Sequence, residues 1–249
     1  MLDSHAGCGR YDLQDAAAQK TAEAADGVQK LLAAGKAYVP EAYLVALALL
    51  NPGLLADGTL EPTALRWYPG SPWLITQALR PDDRYCGCEL HPEDFSTLRQ
   101  NMPRQPFIQL HQRDGYEALG AFTPPTEKRG LIFIDPPFEQ PDEFDRMADA
   151  VIAAHGRWSN GIYALWYPIK DRPAQWAFQE KMAQSGIRKQ LLLEYCFASP
   201  PAPGLQGSGL LVINPPWGLA EAMAETYAKL HQALQGAVAE TKIAWLVPE

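Results

Sequence analysis

The chain has 249 residues, 47% of them apolar and 20% charged, which supports one extended globular domain and excludes wholesale disorder. No apolar run approaches the ~18 residues that a membrane span needs, and the opening Met-Leu-Asp-Ser-His-Ala-Gly has neither the basic nor the apolar stretch of a secretory signal, so a cytoplasmic protein with no membrane partner is expected. The net charge of -8 argues against indiscriminate coating of nucleic acid, because counterion release needs clustered Lys and Arg; a local basic patch drawn from Arg10, Arg66, Arg99, Arg104, Arg113, Lys128 and Arg129 stays open beside plain surface solvation.

The first motif opens the chain. Asp3-Ser-His-Ala-Gly-Cys-Gly9 is an acid followed by Gly7 and Gly9, the arrangement of a nucleotide-binding turn after a strand, where glycine lets backbone approach a ligand closely. A plain tight turn is the alternative. Arg10, Tyr11 and Asp12 follow in place of the third glycine of the dinucleotide fingerprint, and no acid closes a second strand ~20 residues on, which disfavours NAD. Residues 16–34 and 41–50 are Ala- and Leu-rich helical stretches with no strand between them. They predict an inserted helical subdomain over residues 16–65, within a single domain of residues 1–249. Tyr68-Pro-Gly-Ser-Pro72 reads as a turn.

From residue 85 onward apolar runs alternate with helical patterns, the signature of a parallel sheet flanked by helices. Strands are predicted over residues 85–90 and 107–110, within 130–138, and over 162–167, 190–197, 209–213 and 242–247. Helices are predicted over 92–101, 143–155, 174–185 and 219–235, the first opened by Pro92-Glu-Asp94 with acids where the helix dipole favours them. The Pro-rich residues 199–209 read as a mobile loop. Cys8, Cys86, Cys88 and Cys196 form neither a disulfide framework nor a Cys-x-x-Cys pair, so reduced thiols and no metal are expected; Cys86 and Cys88, on one side of a strand, read as core.

Three acids stand in strand order: Asp3, Glu89 at the close of its strand, and Asp114 in Arg-Asp-Gly115 after the next. In an open parallel sheet the carboxyl ends of neighbouring strands converge on one crevice, where a carboxylate can accept the hydrogen bonds of two ribose hydroxyls. Each acid alone reads as a surface residue. The decisive element is Asp135-Pro-Pro-Phe138, which ends the clearest strand, where four apolar residues run in a row. Pro136 and Pro137 lack N–H groups and fix φ, so they make a rigid loop whose carbonyl oxygens act only as acceptors. The Asp135 carboxylate and the Pro136 carbonyl would hold the two hydrogens of an adenine amine, aiming its lone pair at an electrophilic methyl, while Phe138 stacks on the extruded base. The alternative is a structural turn. Asn214-Pro-Pro-Trp217 repeats the loose pattern three strand candidates later, far from the Gly-rich turn in chain order, and reads as a turn before the following helix.

Those motifs, together with Tyr68-Pro-Gly-Ser-Pro72, Glu89-Leu-His-Pro92, Tyr163-Ala-Leu-Trp-Tyr-Pro168 and the terminal Trp245-Leu-Val-Pro-Glu249, extend over nearly the whole chain. In this combination the sequence resembles the bacterial 23S ribosomal RNA adenine N6-methyltransferases of the large subunit. The resemblance implies a Rossmann-like class I methyltransferase fold with an inserted helical subdomain, S-adenosylmethionine as cofactor, and methylation of one adenine of protein-poor 23S RNA; a monomer is expected. Carried over by motif, His5, Ser71, Glu89, Asp114 and Gly115 would bind the cofactor beside Gly7 and Gly9, and Asp135 would be the catalytic acceptor. The same family has also carried a label for using external DNA as a nutrient.

Members of that family have several dozen residues ahead of Asp-x-His-Ala-Gly, including a His- and Lys-bearing segment that helps bind cofactor and RNA, and the first, central strand. Only Met1 and Leu2 precede Asp3 here. The expectation is therefore a sheet without its central strand, in a chain whose start was assigned late or in a catalytically impaired copy, since that strand serves ladders on both sides.

Overall fold

The computed structural model describes residues 1–15, 24–170, 172–198, 204–234 and 240–249. Twelve strands are described among them: β1 (Leu2–Asp3), β2 (Arg10–Asp12), β3 (Leu55–Ala56), β4 (Thr59–Leu60), β5 (Trp67–Pro69), β6 (Tyr85–Glu89), β7 (Ile108–Gln112), β8 (Leu131–Ile134), β9 (Ile162–Ile169), β10 (Gln190–Cys196), β11 (Gly207–Ile213) and β12 (Glu240–Val247). The helices are α1 (Lys30–Ala34), α2 (Glu41–Leu50), α3 (Ser71–Gln77), α4 (Pro92–Asn101), α5 (Gly115–Phe122), α6 (Glu143–Arg157), α7 (Arg172–Gln184) and α8 (Leu219–Ala233). Among the described residues no helix is long and apolar enough to cross a membrane.

Eight strands form one sheet in the order β12-β10-β11-β9-β8-β1-β6-β7. From β9 to β7 neighbouring strands run parallel; β11 is antiparallel to β9, and β10 is antiparallel to both β11 and β12. The chain builds outward from β1 to β6 and β7, then crosses over to β8 and β9 on the other side. That reversal leaves a crevice outside the carboxyl ends of β1 and β8, the usual ligand position in such a sheet.

The central place is filled, contrary to the expectation of a missing strand. Leu2 pairs with Cys86 and Ile132, and Asp3 with Gly87 and Phe133. The ladder continues past the strand, with Ser4 N–H donating to the Phe133 carbonyl at 3.0 Å and Ala6 N–H to that of Cys88 at 2.8 Å. Two residues suffice because β8, with four, is itself short, and the following turn keeps donating to both neighbours.

Helices cover both faces. On one, Ala118 and Leu119 of α5, Met147, Val151 and Ala154 of α6, and Phe178 and Met182 of α7 pack on Leu2, Ile132, Ile134 and Leu165; each of these side chains larger than alanine contributes roughly 1.5–3 kcal/mol of transfer free energy. On the other, Leu98 and Met102 pack with Ala6 and Trp73, and α8 lays Met223 and Tyr227 against Leu191 and Val212. The segment between β2 and β5 holds α1, α2 and the β3–β4 hairpin around a separate cluster of Leu32, Leu44, Leu47 and Leu54, to which α8 adds Ala233.

Of the helix expected over 16–34, the described part is a π turn, Ala25–Gln29, running into α1; residues 16–23 lie outside the described residues. So do residues 199–203 of the expected mobile loop and residue 235 of the last helix. The end of that loop is strand: Gly207–Gly209 pair with Tyr167–Ile169 in β9. Ser71–Gln77 and Gly115–Phe122 are helices where none was expected.

Candidate active site

Asp3 ends β1 with no exposed surface. Its Oδ2 accepts from the Ser71 hydroxyl at 2.8 Å and from the Tyr85 hydroxyl at 2.9 Å, while Oδ1 is buried without a hydrogen-bond partner among the described residues. Burial pushes its pKa up to about 6, against the Ser71 and Tyr85 hydrogen bonds and the nearby His5 backbone, which favour the charged form. After it the chain turns through Gly7 and Gly9 at φ of 57° and 79°, values that a residue with a Cβ adopts only at a cost of ~1 kcal/mol or more. Gly7 N–H donates to Glu89 Oε2 at 2.9 Å, and His91 N–H to Oε1 at 2.8 Å. Glu89, at the carboxyl end of β6, thus pins the turn while each oxygen keeps a further acceptor site.

Asp114 caps α5, its Oδ1 accepting from the N–H groups of Tyr116 at 2.8 Å and Glu117 at 3.1 Å. Gly115 meets the β1 turn so closely that a Cβ would collide with the Ser4 carbonyl. His5 stands edge-on to Tyr116 at 5.1 Å, and its Nδ1 lies 2.7 Å from Ser4 Oγ. Burial pulls the His5 pKa down to about 4, so the ring is neutral at physiological pH. Tyr116 donates to Glu143 Oε1 at 2.7 Å, and the Arg146 guanidinium lies 4.9 Å from the Tyr116 ring centre, 3.6 Å from Asp114 and 3.7 Å from Glu143.

Across the switch point, Asp135 follows β8 directly. Burial, followed by the neighbouring Asp3 charge, raises its pKa to about 7. Pro136 is buried and Pro137 exposed. Phe138 takes the left-handed conformation, φ 53°, which is held by its surroundings: its ring packs edge-on against Phe144 at 4.8 Å and Trp166 at 6.1 Å. A cavity of about 700 Å³ lies elsewhere, at the amino ends of β6, β8 and β9 beside Met1, Tyr85, Leu131 and Ile162. The acids are on the other edge of the sheet.

The family model described as ribosomal RNA large subunit methyltransferase D, RlmJ, matches residues 1–247. Ribosomal RNA large subunit methyltransferase J of Escherichia coli K12 is 34% identical over 251 residues, covering 100% of this chain and 86% of that protein. The protein of the same name from Haemophilus influenzae is 34% identical over 254 residues, with the same two coverages. The chain belongs to the RlmJ family. Membership makes it a ribosomal RNA methyltransferase. A crystal structure of protein LPL1258 from Legionella pneumophila is also similar, with a TM-score of 0.85 and 29% identity, covering 98% of this chain and 87% of that one.

Within this RlmJ-type fold, the residues singled out in the sequence gather around the carboxyl end of β1: His5, Gly7 and Gly9 in its turn, Glu89 beyond β6, Asp114 and Gly115 beyond β7, and Asp135, Pro136 and Phe138 beyond β8. Ser71 also arrives there, with its hydroxyl committed to Asp3. Asn214 does not. β11 runs antiparallel to β9, so its end lies beside the start of β9, where Asn214 Nδ2 donates to the carbonyls of Ser159 and Gly161, both at 2.8 Å. Sequence reasoning missed Tyr85, Tyr116, Glu143 and Arg146. Only the i, i+3 spacing of Glu143 and Arg146 left a trace in the sequence.

Proposed function

We propose that this RlmJ-family chain methylates the N6 amine of one adenine in 23S ribosomal RNA, with Asp135-Pro-Pro-Phe138 as the amine-binding loop. The observation that carries this reading is the position of Asp135: a half-buried carboxyl at the carboxyl end of β8, across the switch point from the Gly7–Gly9 turn. S-adenosylmethionine is the cofactor; when bound it supplies an electrophilic methyl group on a sulfonium sulfur. The residues present fit that group. Asp3 Oδ1 is a buried acceptor left unpaired, Gly7 and Gly9 turn the chain tightly at positive φ, and Gly115 lets the start of α5 close onto the β1 turn. Glu89 would hold the ribose hydroxyls and Asp114 the far end of the nucleoside, with His5 and Ser71 shaping the turn.

Asp135 accepts one amine hydrogen and the Pro136 carbonyl the other. Held this way, the nitrogen lone pair is drawn out of conjugation with the ring and oriented for attack. An N-methylated amine must shed one proton to end neutral, and Asp135, with a pKa near 7, takes it and passes it to water. Phe138 offers a face to the extruded base. Tritium-methyl transfer to unmethylated 23S RNA, followed by nucleoside digestion, is expected to place the label in N6-methyladenosine at a single site. Label in another base, or at many adenines, would overturn the reading.

A further inference from the structure

The site contains a tyrosine that the proposed reaction does not use. Tyr85, the first residue of β6, is completely buried. Its ring lies over Gly87, where an added Cβ would come within 2.6 Å of the hydroxyl, and so it reaches along the strand to the end of β1. There it donates to Asp3 Oδ2 at 2.9 Å, beside the Ser71 hydroxyl at 2.8 Å. Both donors meet the same oxygen. The other, Oδ1, is buried and without a hydrogen-bond partner among the described residues.

A buried carboxylate oxygen left unpaired costs free energy unless something occupies it. Two hydroxyls on Oδ2 prevent the carboxyl group from rotating to satisfy its second oxygen locally. We propose that Tyr85 is a positioning residue of the methyl-transfer site: with Ser71 it clamps Asp3 so that Oδ1 is presented to the cationic amino group of the methyl donor. This inference rests on the cofactor site proposed above. The Tyr85 phenol is itself held protonated, its pKa raised chiefly by burial and by the Asp3 charge, so it acts as a donor throughout the physiological range. The other titratable groups facing Asp3 are Glu89, Cys86 and Cys88 from β6, Asp135 beyond β8, and His5, whose backbone favours the charged carboxylate. None of their side chains donates a hydrogen bond to it. Ser71 and Tyr85 are therefore its side-chain donors.

The test is calorimetric titration of the full chain with S-adenosylmethionine across pH 5 to 9, for the wild type, Tyr85→Phe and Ser71→Ala. Wild-type affinity is expected to fall as pH drops through about 6, where Asp3 takes up its proton. Losing a hydrogen bond to the charged form raises a carboxyl pKa. Tyr85→Phe should therefore weaken binding about tenfold near pH 7 and move the pH midpoint upward, and Ser71→Ala should shift it in the same direction. A purely structural loss would weaken binding equally at every pH with an unmoved midpoint, and would overturn the assignment, as would affinities within twofold of wild type for both variants. Wild type that binds no S-adenosylmethionine would bring down the cofactor site itself, and this inference with it. Ser71, half-buried at the start of α3, supplies the measurement if Tyr85→Phe fails to fold.

Discussion

Asp135 and Asp3 place two carboxyl groups in one crevice, and burial raises both pKa values, to about 7 and about 6. In the unfolded chain both titrate near ~3.9. A carboxyl whose folded pKa is raised favours the fold at acid pH, and that contribution disappears as pH climbs from the unfolded value through the folded one. For Asp135 the window runs from about pH 4 to about pH 7, and the loss above it is on the order of a few kcal/mol. Asp135→Asn removes the charge and keeps the shape. Its melting temperature should exceed that of the wild type by several degrees at pH 8 and by little near pH 4, as measured by thermal melts in matched buffers. An equal shift at both pH values would show that the carboxyl is not held neutral. The native residue is thus expected to cost stability above neutral pH, a common cost of a functional acid.

At the scale of elements, the strands were the most legible. Apolar runs ending in Glu89 and Asp135 marked both strand and site, because a strand buried between helices must be apolar until it reaches the crevice. α4 begins at Pro92, as its acids and proline require. Two helices were not legible. Ser71–Gln77 follows Tyr-Pro-Gly, punctuation that usually signals a turn, and Pro72 there is a helix-start residue instead. Gly115–Phe122 opens on a glycine that the close approach to Ser4 demands. The two Pro-Pro loops could be ranked from chain order, but the reason emerged only with pairing: β11 runs opposite to β9, carrying Asn214 to the far edge. Its two hydrogen bonds to Ser159 and Gly161, and its φ of 52°, make it a structural latch. Asn214→Ala should lose ~1–3 kcal/mol of stability in chemical denaturation, while transfer per folded molecule at a temperature well below the melt is unchanged. Lost transfer in a folded Asn214→Ala protein would contradict that division.

For the whole molecule, local pattern foretold a parallel sheet wound on both sides, but not which strand fills its centre. Pairing partners are non-local, and a two-residue strand has no period from which to read them. Leu2–Asp3 holds that place because β6 and β8 both pair with it and the turn after it keeps donating. The same arrangement explains why the site residues are scattered over 134 positions of chain, from His5 to Phe138 within 249 residues, and yet meet at one sheet edge. The net charge of -8 limits nonspecific adhesion to RNA.

The central claim is that Asp135 holds the reacting amine and not the cofactor. Its most direct test is single-turnover methyl transfer to unmethylated 23S RNA as a function of pH, in wild type and Asp135→Ala, with cofactor affinity measured calorimetrically on both proteins. The wild-type rate should rise with pH up to about 7 and then level. Asp135→Ala should be slower by about a hundredfold or more, the usual yield of a positioned proton acceptor, while binding S-adenosylmethionine within a few fold of wild type. A folded Asp135→Ala enzyme that keeps more than about a tenth of the wild-type rate, or that loses cofactor binding in proportion to rate, would contradict it.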